Sequence, residues 1–87
     1  MIADDPDQLQ RLLATAQQAI RQTLADGQAQ ARQPGEWVTR GVIEHVFHAR
    51  HHAQHAEWDE YATVAEKREH LQHCVARCAM ALALLDQ

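Results

Sequence analysis

Thr63-Val64-Ala65-Glu66, continuing as Lys67-Arg68-Glu69-His70-Leu71-Gln72-His73-Cys74-Val75-Ala76-Arg77-Cys78-Ala79-Met80-Ala81-Leu82-Ala83-Leu84-Leu85, reads as one long helix with its own start signal. A threonine three residues ahead of a glutamate is the capping-box pattern, in which hydroxyl and carboxylate each satisfy an amide that the helix end leaves unpaired. Leu71, Cys74, Val75, Cys78, Leu82 and Leu85 then recur at helical spacing. From Cys74 onward Ala76, Ala79, Met80, Ala81, Ala83 and Leu84 nearly complete an apolar circumference, so this end is expected to be buried, between subunits.

Working back from Thr63, Val38, Val42, Val46, Ala49, Ala53 and Ala56 mark the core stripe of a second helix that Thr39 caps and that runs to about Trp58. Ile43 and Phe47 lie off that stripe, on a second apolar surface of the kind that contacts another chain. The first helix opens at Asp5-Pro6, a capping aspartate before a proline at the first helical position, with Gln8 three residues past the cap. Leu9, Leu12, Leu13, Ala16, Ile20 and Leu24 give it an amphipathic face, Gly27 either ends it or weakens it, and Gln33-Pro34-Gly35 is the firm stop. The reading is an all-α, three-helix antiparallel bundle in one domain, residues 1–87, with helices near 6–32, 40–58 and 64–86.

The chain has 87 residues, close to the size at which a single core only marginally stabilises itself. Of the 46% hydrophobic residues, sixteen are alanines, which favour helix but bury little surface. Thin cores of this size are completed by disulfides, a metal or oligomerisation, and a homodimer is the expectation here. Cys74 and Cys78, the only cysteines, read as neighbours on one buried face, which fits free thiols in a reducing compartment. A net charge of −4 argues against direct nucleic-acid binding. Met1-Ile2-Ala3-Asp4-Asp5 lacks the basic start and apolar core of a signal peptide, and no apolar run nears the roughly 20 residues of a membrane span. A cytoplasmic protein without membrane contact is expected.

All seven histidines fall between His45 and His73. His45, His48, His51, His52 and His55 share a broad side of the second helix with Glu44 and Asp59, at three- and four-residue spacings that let two side chains reach one ion. Glu66, Glu69, His70, His73 and Arg77 line one side of the third helix. If those helices form a hairpin, His70, His73 and Glu66 approach His51, His52 and His55. The ligand set expected from this is Glu44, His48, His52, His55, His70 and His73, with Glu66 and Glu69 as catalytic carboxylates; zinc, nickel or manganese suits the imidazoles, magnesium the oxygens. Glu57-Trp58-Asp59-Glu60 is a further acidic group for magnesium, more simply read as a solvated helix end. Arg77, the one charge in an apolar stretch, requires an acidic partner. It is expected either to pair with Glu44 or Asp59 or to bind phosphate. The alternative to an enzyme is a non-catalytic protein-binding module or phage-type inhibitor, with a histidine surface that gains charge on acidification.

The segment Arg68-Glu69-His70-Leu71-Gln72-His73, leading into the alanine- and leucine-rich end, resembles the closing helix of small, often phage-encoded proteins of the dATP/dGTP diphosphohydrolase-like group, relatives of the all-helical MazG pyrophosphohydrolases. The likeness covers about residues 38–85. It implies a dimeric helical bundle, a divalent cation and cleavage of a nucleoside triphosphate between its α and β phosphates. His70 and His73 are the residues that carry over by motif. The acidic pairs of MazG enzymes stand on neighbouring helices, whereas Glu57-x2-Glu60 and Glu66-x2-Glu69 here straddle the predicted turn.

Overall fold

The computed structural model describes residues 5–30 and 32–87. Three helices carry the chain: α1 (Pro6–Ala29), α2 (Val42–Trp58) and α3 (Val64–Leu85), with a short 3-10 turn at Glu36–Thr39 between the first two. No strand occurs among the described residues, so the all-α, three-helix reading holds. α3 is central: α2 and α1 both pack on it, and among the described residues they make no direct packing with each other. The plate that results measures 41 × 39 × 22 Å. No helix among the described residues is long and apolar enough to cross a membrane.

Both start signals operate as read. The Asp5 carboxylate accepts the Asp7 amide at 2.8 Å, ahead of proline at the first helical position. At α3 the Glu66 amide donates to the Thr63 hydroxyl at 3.1 Å while the Glu66 carboxylate accepts the Thr63 amide at 3.3 Å. The stops and the second start differ from expectation. α1 ends at Ala29, not near residue 32, because the amides of Gln30 and Arg32 both turn back onto the Gly27 carbonyl. The chain then passes Pro34 and reverses at Gly35, whose φ of 75° lies where a Cβ is strained. Thr39 does not cap α2. Its hydroxyl donates to the Glu36 carbonyl at 2.7 Å, closing the 3-10 turn, and Gly41 precedes the helix instead.

The core is small and mostly alanine: Ala19 from α1, Ala49 from α2, and Ala76, Met80 and Ala81 from α3, with Thr23, His45 and Arg77 buried among them. Alanine contacts let helix axes approach closely but remove little area from water. The α2 stripe is rotated from the expected one. His45, Ala49 and His52 turn toward α3, whereas Val38 and Val46 are exposed. The reason is polar: His45 and His52 find partners across the interface, described below, that valine cannot use. On α3 the cysteine reading is corrected. Leu71, Val75, Cys78, Leu82 and Leu85 point outward, with Leu82 61% and Leu85 65% exposed, so Cys74 and Cys78 do not share a buried face. Partial burial still pushes the Cys74 thiol upward.

Candidate metal centre and histidine cluster

The α2/α3 hairpin brings two histidine stripes together. His52 Nδ1 and His70 Nδ1 stand 3.0 Å apart, and His51 Nε2 and His55 Nε2 are 3.1 Å apart one turn along α2. His55 stacks on His70 with centroids 5.1 Å apart, and His52 meets His73 edge-on at 4.9 Å. Two imidazole nitrogens sharing a tetrahedral zinc at 2.0–2.1 Å each are separated by roughly 3.3 Å. Both observed pairs lie near that separation. Of the expected ligands, His52, His55, His70 and His73 have their rings brought together, but among the described residues the set of three ligand atoms close enough for one ion is Asp26, Glu69 and His73. Burial, then the neighbouring His73 and His70, lowers the His52 imidazole from 6.5 to about 4, so it is held neutral and free to donate a lone pair.

His73 links this cluster to α1. Its Nε2–H donates to Asp26 Oδ2 at 3.3 Å, and Asp26, Glu69 and His73 offer ligand atoms all within 4.8 Å of one another. The Gln22 amide, donating at 3.0 Å, and then His73 hold the Asp26 carboxyl below its usual range, keeping it an anion. Asp26 was not among the sequence-derived ligands. It lies on a helix whose pattern reads as packing, and only the crossing of α1 over α3 places it beside His73.

The remaining expected residues are engaged elsewhere. Glu44 pairs with Arg40, which lowers its carboxyl, and approaches His48 at 3.9 Å. No hydrogen bond joins either Glu44 or His48 to the imidazole cluster among the described residues. Burial, followed by repulsion from Arg77, lowers His48. Glu66 has its carboxylate committed to the α3 cap, receiving both the amide and the hydroxyl of Thr63. Glu57, Asp59 and Glu60 are exposed at the end of α2, and Asp59 accepts the Tyr61 amide at 3.1 Å.

His45 and Arg77 revise the sequence reading most. His45 is fully buried. Its Nε2–H donates to the Trp37 carbonyl at 2.9 Å, which fixes the tautomer, and its Nδ1 accepts from Arg77 Nη1 at 3.1 Å. Arg77 thus has a neutral imidazole where an ion pair with Glu44 or Asp59 was expected. Arg40 has taken Glu44, and Asp59 caps the far end of α2.

Comparison with models of known protein families, with curated proteins and with solved structures finds no match to this chain. The class of protein is accordingly defined by its own geometry: an all-helical chain with an imidazole and carboxylate cluster where three helices meet. Within that class its particular feature is a donor set drawn from both α1 and α3, backed by histidines of α2.

Proposed function

We propose that this chain binds a divalent cation through Asp26, Glu69 and His73, with His52 and His70 beside them, and acts on a phosphorylated substrate. The observation that carries this reading is the convergence of those three ligand atoms within 4.8 Å from two helices. Mixed imidazole and carboxylate donors favour zinc, manganese or nickel over magnesium. Such an ion supplies Lewis acidity toward a phosphoryl oxygen and activates water. Arg77 follows His73 by one helical turn and is the cation proposed for the substrate's phosphate. The resemblance of the third helix makes a nucleoside triphosphate the substrate to test first; Glu66 is bound in the α3 cap and Glu69 is among the proposed ligands, so neither is assigned proton transfer.

Elemental analysis of untagged protein, followed by titration with zinc, manganese, nickel and magnesium and by a nucleotide panel, tests the reading. About one ion per chain is expected, with affinity lowered at least tenfold in Asp26→Asn and His73→Ala. A folded protein that takes up no ion and releases neither phosphate nor pyrophosphate would refute it and favour a non-catalytic protein-binding module. The exposed Ile43, at 83%, and its neighbour Phe47 are the observation on that side.

The assembly we propose is a homodimer through α3. The radius of gyration is 14.2 Å, against about 12 Å for a compact domain of this length. The accessible surface is 6837 Å², about 1,600 Å² more than a folded monomer of this mass presents. Covering that excess on two chains gives an interface of roughly 3,200 Å², within the range of obligate homodimers. Leu71, Val75, Cys78, Leu82 and Leu85 supply the seam, alternating by four and three along α3, the period at which two helices stay in contact.

A further inference from the structure

α1, the 3-10 turn and α3 border a half-open cavity of about 220 Å³ that is lined by none of the proposed ligands. Three arginines line it: Arg32 and Arg40 on its walls and Arg77 from α3. Arg77 is 7% exposed, yet its one hydrogen-bond partner among the described residues is the neutral His45. Among the described residues no carboxylate lies within 4.0 Å of Arg77 or Arg32, the four ion pairs being made by Arg40, His48 and His73. A guanidinium buried without an anion is costly, and one that opens onto a cavity is placed to receive it from a ligand.

We infer that this cavity is a binding site for a phosphate-type oxyanion, gripped by Arg77 and Arg32. Arg40 is neutralised by Glu44 and by Glu36, the latter also on the cavity wall, so the two cations left for a ligand are Arg77 and Arg32. Burial and then repulsion from Arg32 and Arg40 weaken the hold of Arg77 on its proton, the signature of like charges gathered around one space. An entering dianion relieves that repulsion, and the planar fork of arginine matches its oxygens. No buried side-chain donor among the described residues is left without a partner, so the Arg77 N–H groups that His45 does not take are open to solvent, and Arg77 is one of the residues lining the cavity. Arg32 is seated by its stem, which passes about one atomic contact, 3.5 Å, from where a Cβ on Gly27 would stand.

The cavity volume accommodates a small oxyanion. Pockets that enclose a drug-sized molecule run about 300–1,000 Å³, so this one admits a phosphate or pyrophosphate group and leaves any larger body of the ligand outside. Trp37, on the same wall, is the surface such a body would meet. The inference rests on the phosphate-directed reading above only for what the oxyanion is attached to; the cavity itself needs no metal.

Calorimetric titration of the full chain with inorganic phosphate and pyrophosphate, in excess chelator, tests the site. A Trp58→Phe background makes Trp37 the sole tryptophan and gives a second readout by fluorescence. Saturable one-to-one pyrophosphate binding is expected, at least tenfold weaker in Arg32→Gln and in Arg77→Gln, and not weakened in Asp26→Asn. Arg32 is exposed, so its variant decides the matter should Arg77→Gln fail to fold. Absence of saturable binding by the folded protein at millimolar pyrophosphate overturns the inference, as does binding that Arg32→Gln leaves unchanged. The metal reading fails or survives separately, on ion uptake by Asp26→Asn and His73→Ala.

Discussion

The two halves of α3 are partnered differently: the first is polar and meets its neighbours through side-chain hydrogen bonds, while the second buries one face, Ala76, Arg77, Met80 and Ala81, and leaves Leu82 and Leu85 bare. His70 and His73 are held against α2 and α1 by histidine and aspartate, whereas Leu82 and Leu85, a few turns later, face outward. The difference teaches that burial in this chain follows partnership more than polarity. His52, His70 and His73 are half-buried where an imidazole or a carboxylate of another helix meets them, whereas His51 and His55, paired along α2, stay exposed. Leucines stay exposed where the chain has nothing apolar of its own to set against them.

Three perturbations break or sharpen that contrast. The largest effect is expected at the joint between the halves. His45→Ala removes the hydrogen-bond partner of Arg77 and leaves a buried cation unpaired, while the Trp37 carbonyl keeps the Arg40 amide, at a cost of about 3–5 kcal/mol. Urea denaturation should show it, and a shift below 1 kcal/mol would mean that the pair is not a joint at all. On the apolar half, Leu82→Asp places a carboxylate in the proposed seam. It should weaken association at least 100-fold, about 3 kcal/mol, read as a fall to half mass in sedimentation. An unchanged mass, or a monomeric parent protein, removes the seam.

The polar half responds to acid. His52 has its imidazole lowered from 6.5 to about 4 in the fold. The unfolded chain therefore binds the extra proton more readily throughout that window, and stability must fall as pH falls. The contribution is fully present above pH 6.5 and lost by about pH 4. Because the ring is partly solvated, the loss is about 1 kcal/mol rather than the full value of the shift. Metal-free protein should show a declining urea midpoint between those limits, and His52→Gln should flatten that part of the curve. A flat profile in the parent would mean that the ring titrates as though exposed.

What was legible in the sequence was whatever depends on near neighbours. Asp5 and Thr63 announce helix starts because a cap is settled within three residues, and both starts are found where they were read. The pairing of His52 with His70 followed from the hairpin alone. His45 was illegible for the opposite reason: its burial depends on a carbonyl eight residues back and a guanidinium 32 residues ahead. Placed on a polar stripe by its residue type, it belongs to the core by its bonds. Asp26 was hidden because periodicity tells which face of α1 packs but not where that face crosses α3. The outward leucines of α3 are legible as apolar and as a surface to be covered, but a hydrophobic pattern does not say which molecule covers it.

His45 also has a mechanical meaning. A flat, rigid ring bonded at both ends is a strut, spanning from the Arg77 guanidinium to the backbone of the 3-10 turn at Trp37. Floor and wall of the arginine cavity are thereby set at a fixed spacing before anything enters. The guanidinium cannot swing without dragging the Trp37 carbonyl, so its aim is inherited from the backbone, and the entropy of orienting it has already been spent during folding.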